Sequence, residues 1–337
     1  METQEDESQL SEYRTLLAHY ISQKDQKLPT EESEHLRRQL HACGILPEDL
    51  LGLHIEALKG AGIFSESAMM RSLNFLMKMM SGYSKAYREH QELKDWQKQL
   101  DTELDIASAL QKTLLDGKVP ACSFADIGAI SEPAKRMSGD YYRIVNDGKR
   151  LVVTIADIVG KGIPAAMCMS MIKYAMDSLP ENSQGAPSYI LSLLNRVVER
   201  NVDTNMFITM FYGVYDPETG IFSNSSAGHE PGFYYSARED RFMDLEARGL
   251  SLGLAREAEY KEYARRIYSG DMIFLLTDGV TEIRKDHDFI EREQIVALIR
   301  RWMHLPAAEI VKQVMRALKK MQDFSLQDDF TFIAIKF

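Results

Sequence analysis

Apolar residues recur at helical spacing up to about Leu115 and at strand spacing beyond it. Leu10, Tyr13, Leu17, Tyr20 and Ile21 form one stripe in steps of three and four, and Leu36, Leu40 and Cys43 form a second. A third helix is expected from Pro47, whose fixed φ suits a first turn, with Glu48 and Asp49 favourable at the positive end of the dipole. The Gly60-Ala61-Gly62 break ends it.

The next pattern is longer. Met69, Leu73, Leu76, Met80, Tyr83, Tyr87 and His90 follow alternating steps of four and three, the a/d seam of a bundle or coiled coil. Leu93 and Trp96 then come at intervals of three, after which Leu100, Ala107, Leu110 and Leu114 resume the heptad. An inserted three-residue step overwinds a coiled coil and rotates its seam. One long helix packing first on its own bundle and then on the next domain fits this pattern. A symmetric linker between two copies of the chain fits it too. The apolar seam leads us to expect a homodimer through residues 1–85 and a mostly monomeric fragment 119–337.

After Gly117 short β-rich runs alternate with turns. Strands are expected at Leu151–Ile155, Met206–Tyr215, Ile221–Ser226, Gly232–Tyr235, Met272–Leu276 and Phe330–Phe337, with turn signals at Asp147-Gly148 and Asp216-Pro217. Helices are expected at Pro164–Leu179, Tyr189–Asn201, Gln294–Met303 and Ala307–Met321. Many strands with paired helices point to an α+β domain, its helices packed outside stacked antiparallel sheets, behind an all-α N-terminal bundle and a helical linker.

Composition narrows the function classes. The 337 residues suit two domains, and 45% hydrophobic with 27% charged residues is ordinary for a soluble protein. A net charge of -10 and short basic pieces such as Lys319-Lys320 argue against nucleic acid as partner. No stretch approaches the ~20 apolar residues of a membrane span, and Met1–Ser8 is acidic, so we expect no membrane association and a cytoplasmic location. The three cysteines, Cys43, Cys122 and Cys168, lie far apart without a CxxC, which fits a reducing compartment and no zinc site.

Four aspartates stand where strands begin or end. Asp140 lies in Ser138-Gly139-Asp140-Tyr141-Tyr142, and Asp157 opens Asp157-Ile158-Val159-Gly160-Lys161-Gly162. Asp278 lies in Thr277-Asp278-Gly279-Val280-Thr281-Glu282, and Asp329 in Asp328-Asp329-Phe330-Thr331. Carboxylates displayed at a sheet rim can converge though remote in sequence. Hard divalent cations such as Mg²⁺ and Mn²⁺ favour such oxygen ligands. Each motif alone is weak, because Asp-Gly is also a common turn signal and a lone Asp after a strand is usually a cap.

Together, and in this order, these motifs are specific. With Met206-Phe207-Ile208-Thr209-Met210 and Ala227-Gly228-His229-Glu230-Pro231, they resemble the metal-dependent (PPM) protein phosphatases in their SpoIIE-like branch, over essentially all of residues 119–337. The helical part, with Ser81-Gly82-Tyr83 and Tyr87-Arg88-Glu89-His90-Gln91, resembles that of the RsbU-type phosphatases, positive regulators of a general stress sigma factor. The resemblance implies residues 1–85 as a regulatory and dimerisation domain, 86–118 as a helical linker and 119–337 as a PPM-type α/β/β/α sandwich. It implies two Mn²⁺ or Mg²⁺ ions, with Asp157 bridging them and the Ile158 backbone carbonyl as a further ligand. Asp278 and Asp329 would hold the first ion, and Asp140 would act near the second. The implied substrate is a phosphorylated STAS-type anti-anti-sigma factor. The implied activator is an RsbT-type switch kinase acting on the N-terminal domain, in a partner-switching pathway.

The proton donor for the leaving serine stays open. Many relatives carry histidine where this chain has Lys161, which would hold a phosphate oxygen or be a solvated loop residue; His229 is the other candidate acid. The helix after Asp157 carries a stripe of Ile163, Met167, Met171, Tyr174 and Ala175, expected to pack beside Leu110 and Leu114 as a movable pair that positions Asp157. A non-catalytic dimeric adaptor and a two-metal hydrolase of another phosphate ester are the rival readings at this level.

Overall fold

The computed structural model describes the chain apart from residues 1, 23–29, 43–44, 46–48, 62–64, 116, 161, 179–185, 203–205, 247, 286–287 and 322–327. It divides into two units, Met1–Glu103 and Leu104–Phe337. Cys43, Pro47 and Lys161 fall outside the described residues.

The first unit is helical: α1 (Glu2–Ser22), α2 (Thr30–Ala42), α3 (Asp49–Ala61) and the first part of α4 (Glu66–Leu115). Of the stripes read from sequence on α1 and α2, the described side chains Tyr13, Leu17 and Tyr20 bury against Leu36 and Leu40, and Leu10 lies outside the described side chains. Leu50 and Ala57 of α3 and Phe75, Met79 and Tyr83 of α4 complete the core. On α4 the buried face runs through Ser72, Phe75, Leu76, Met79 and Tyr83, whereas Met69 and Leu73 are 42% and 45% exposed. The expected seam therefore straddles two faces of the helix. Packing in a short bundle needs a wider apolar face than a two-stranded coil, and that requirement wins here. The heptad slip leaves no break, since α4 runs as one helix through His90–Leu93.

The second unit stacks two antiparallel sheets. One has the order β1 (Asp126–Glu132), β12 (Phe330–Lys336), β9 (Met272–Leu276), β6 (Phe233–Ser236), β7 (Arg241–Asp244). The other has the order β2 (Tyr141–Asn146), β3 (Leu151–Ile158), β4 (Ile208–Asp216), β5 (Ile221–Ala227), β8 (Tyr263–Arg266). Side chains alternate faces along a strand, and both faces are covered here. Leu151, Val153 and Ile155 of β3 meet Ile273 and Leu275 of β9 and Ile333 and Ile335 of β12 between the sheets. Ala156 and Ile158 turn instead to α5 (Ile163–Asp177) and α6 (Pro187–Asn201). Phe274 and Leu276, with Phe330 and Phe332, turn to α8 (Arg292–Trp302) and α9 (Ala307–Met321). This double burial explains the unbroken apolar run of Met272–Leu276. A short α7 (Asp278–Thr281) and the pair β10 (Arg284–Lys285) and β11 (Asp288–Phe289) join β9 to α8.

The chain thus has the α+β architecture read from its sequence: helix, sheet, sheet, helix behind a helical N-terminal region. The α5 stripe is corrected. Ala165, Ala166, Met169, Ile172 and Met176 are its buried residues, while Ile163, Met167 and Tyr174 are exposed. Leu110 and Leu114 are also exposed, and it is Leu115 that packs into the α5–α6 core. Among the described residues, no helix is long and apolar enough to cross a membrane.

Candidate active site

Each of the four aspartates sits where a strand meets a turn. Asp140 directly precedes β2, and Asp157 is the last residue but one of β3; the register Tyr141↔Ala156 makes them neighbours across the β2–β3 ladder. Asp278 opens α7 directly after β9, and Asp329 directly precedes β12, the neighbour of β9 in the other sheet. Two glycines permit the approach. A Cβ on Gly279 would lie 1.9 Å from the Asp329 carbonyl oxygen, so only glycine lets the α7 turn close on that strand end. A Cβ on Gly139 would lie 3.6 Å from both Asp157 Oδ1 and Asp329 Oδ2, which places these carboxylates on two sides of one point.

Each carboxylate is held differently. Asp140 is 3% exposed, and its Oδ2 accepts the hydroxyls of Thr277 (2.8 Å) and Thr331 (2.6 Å). Among the described residues its buried Oδ1 has no hydrogen-bond partner. Asp329 accepts from three donors of one loop: Ala134 N to Oδ1 (2.7 Å), then Gly139 N (2.5 Å) and Ser138 Oγ (3.3 Å) to Oδ2. Burial, then the charge of Asp157, pushes Asp140 well above the usual carboxylate range. Burial, then the charge of Asp278, pushes Asp157 up to about 7. Asp278 is raised by burial and by the charges of Glu282 and Asp328. Among the described residues none of the four forms an ion pair.

Gathered negative charge that no described residue pairs, a buried oxygen with no hydrogen-bond partner among the described residues and an all-oxygen donor set fit a hard divalent ion. Among the described residues no three His, Cys, Asp or Glu side chains are arranged as the ligands of one ion. Ile158, whose carbonyl was expected to join them, ends β3 beside the same loop, its Cγ2 3.0 Å from the place a Gly139 Cβ would take. Lys161 lies outside the described residues.

His229 is placed by its partners. It is 4% exposed, its Nδ1 lies 3.0 Å from Thr209 Oγ1, and that hydroxyl donates to the Asp157 carbonyl oxygen at 3.3 Å. The ring and the Thr209 hydroxyl share one hydrogen bond, and the imidazole also bonds the Leu276 backbone. Burial lowers the imidazole pKa to about 4, and the ring is neutral at physiological pH. The residues missed by sequence reading are the ones that hold carboxylates, Thr277, Thr331 and Ser138. A threonine in a strand resembles any other β-former until its partner is known.

A family model described as Stage II sporulation protein E (SpoIIE) matches residues 147–337, and one described as the N-terminal domain of phosphoserine phosphatase RsbU matches residues 11–86. The phosphoserine phosphatase RsbU of Bacillus subtilis (strain 168) is 47% identical over 324 residues, covering 96% of each chain. The SiaA PP2C domain of Pseudomonas aeruginosa aligns with a TM-score of 0.63 at 17% identity, covering 73% of this chain and 99% of that one. The RsbU and RsbW domains of a Mycobacterium tuberculosis protein align with a TM-score of 0.53 at 24% identity, covering 63% and 59%. At such identities the two structural likenesses bear on the fold alone, which is of the PP2C type.

Proposed function

The chain belongs to the RsbU-type serine phosphatases of the SpoIIE family, within the PP2C-like fold, and on that footing we propose that it removes phosphate from a phosphoserine of a STAS-type anti-anti-sigma factor. The observation that carries this reading is the convergence of Asp140, Asp157, Asp278 and Asp329 from two sheets, none of them ion-paired among the described residues.

These four carboxylates and the Ile158 carbonyl would hold two Mn²⁺ or Mg²⁺ ions. When bound, the ions would supply an activated nucleophile near neutral pH and positive charge against the phosphoryl oxygens. The chain's own residues set the geometry. Thr277 and Thr331 tie down one oxygen of Asp140 and leave the other for the site. The 134–139 loop fixes both oxygens of Asp329. His229, buried and neutral, acts through Thr209 on the Asp157 backbone, so we assign it to positioning rather than to proton donation. Lys161 is proposed as a contact for a phosphate oxygen.

The helical part, residues 1–85, would form a homodimer and receive a kinase-like activator of the RsbT type, with residues 86–118 as the linker to the catalytic domain 119–337. In the cytoplasm, such an enzyme would release the anti-anti-sigma factor to act in a stress response.

A direct test of the substrate incubates the full chain and Mn²⁺ with a serine-phosphorylated STAS protein and, separately, with an unrelated phosphoserine protein. Dephosphorylation of the first at least about tenfold faster is expected. Equal rates would contradict the assigned substrate while leaving the chemistry in place.

A further inference from the structure

The last turns of α4 within the second unit present two different faces. Ile106 and Leu110 are exposed, whereas Asp105, Ser108 and Gln111, three residues apart along the helix, all reach the loop that holds Asp329. The Asp105 carboxylate lies 3.4 Å from Arg136 Nε, and Ser108 Oγ donates to the Arg136 carbonyl oxygen. Gln111 goes further. It is 6% exposed, its Nε2 donates to Ser138 O at 2.8 Å, and its Oε1 accepts from Ser138 N at 3.1 Å.

A primary amide offers a donor and an acceptor side by side, and here it satisfies both polar groups of one residue as a neighbouring strand would. Ser138 is a link in the site. Its hydroxyl donates to Asp329 Oδ2 and accepts from Asp140 N (3.1 Å), and the next amide, Gly139 N, makes the shortest bond to the same Asp329 oxygen. Releasing Ser138 would therefore let donors of Asp329 swing away and leave that carboxylate free to turn.

We infer that Gln111 is a positioning residue for the Asp329 carboxylate, acting through the Ser138 backbone so that Asp329 is pre-set for divalent metal. The inference rests on the reading of Asp329 as a metal ligand. Partners that orient metal ligands typically change metal affinity by about 10- to 100-fold when removed. Gln111→Leu keeps much of the volume and removes both hydrogen bonds. Gln111→Glu keeps an acceptor and removes the donor.

The experiment measures Mn²⁺ binding to the full chain by titration calorimetry, beside thermal unfolding of the chelated protein, for the wild type, Gln111→Leu, Gln111→Glu and Asp329→Asn. Gln111→Leu is expected to raise the Mn²⁺ dissociation constant by about 10-fold or more, and Gln111→Glu to raise it in the same direction. Turnover of p-nitrophenyl phosphate by both variants should recover as Mn²⁺ is raised. A lower unfolding temperature with unchanged Mn²⁺ affinity in the Gln111 variants, while Asp329→Asn binds weakly, would overturn the inference and make Gln111 a packing residue only. Unchanged affinity in Asp329→Asn would overturn the metal-site reading beneath it. Should Gln111→Leu fail to fold, the Gln111→Glu titration decides on the same terms.

Discussion

The chemistry of this chain turns on individual side chains whose charge is set by their neighbours. Asp157 is raised to about 7, first by burial and then by Asp278, and burial, then the charge of Asp157, raises Asp140 well above the usual carboxylate range. A carboxyl whose folded pKa exceeds its unfolded value stabilises the fold while protonated; that contribution is present below ~4 and lost as pH rises through the folded value. The chelated protein should therefore unfold at a lower temperature at pH 8.5 than at pH 7, and Mn²⁺ should narrow the difference. The buried neutral His229 works in the opposite sense only at lower pH, where the unfolded chain takes up a proton that the folded imidazole refuses. A chelated unfolding temperature that rises from pH 7 to 8.5 would contradict the charge assignments. Gly279→Ala forces a methyl onto the Asp329 carbonyl and should cost about 1–3 kcal/mol in urea unfolding, with weaker Mn²⁺ binding as the two carboxylates part. The four aspartates were legible in sequence because each adjoins an apolar strand. Thr277, Thr331 and Gln111 were not, because their role depends on which strand or loop the fold brings opposite them.

At the level of elements, strands buried on both faces were the readable ones. β9 is a continuous apolar run, β3 is interrupted only by Thr154 and Asp157, and β12 only by Thr331 and Lys336. β7 and β8 escaped notice because Arg241–Asp244 and Tyr263–Arg266 are short, partly exposed and rich in charge. Helix α4 shows the reverse problem, an apolar surplus that one periodicity cannot describe. Its inner face, Phe75, Met79 and Tyr83, fills the bundle, and Met69, Leu73 and Met77, four residues apart, remain exposed on another. We expect that outer face to pair two copies of the chain. Leu73→Glu combined with Met77→Glu should convert a dimer to a monomer by light scattering at micromolar concentration, with helix content kept. A wild-type chain that is already monomeric there would remove the dimer from the account.

For the whole molecule, both family models match, one in each unit, so a helical N-terminal part and a phosphatase share one chain. An activator can raise turnover only by its preference for the active state, and a 100-fold rise requires about 2.7 kcal/mol of such preference. A modest protein interface supplies that much. If the activator acts through metal-site geometry, Mn²⁺ titrations with and without it should differ in apparent affinity or maximal rate; identical curves would reduce the linker to a tether. The sequence showed the two-part organisation through its change from helical to strand spacing. It could not show which faces of α4 and α5 bury, since that depends on partners drawn from the rest of the fold.

The central claim is that Asp140, Asp157, Asp278 and Asp329 form a metal-dependent phosphoserine hydrolase. The most direct measurement is phosphate release from a serine-phosphorylated STAS protein, titrated with Mn²⁺ after chelation, for the wild type beside Asp157→Asn. No turnover without metal, recovery on Mn²⁺ addition, and a loss of at least about 1,000-fold in a folded Asp157→Asn protein are expected, since the ion site supplies both nucleophile and charge. Full activity in the chelated enzyme, or in the Asp157→Asn variant, would contradict it.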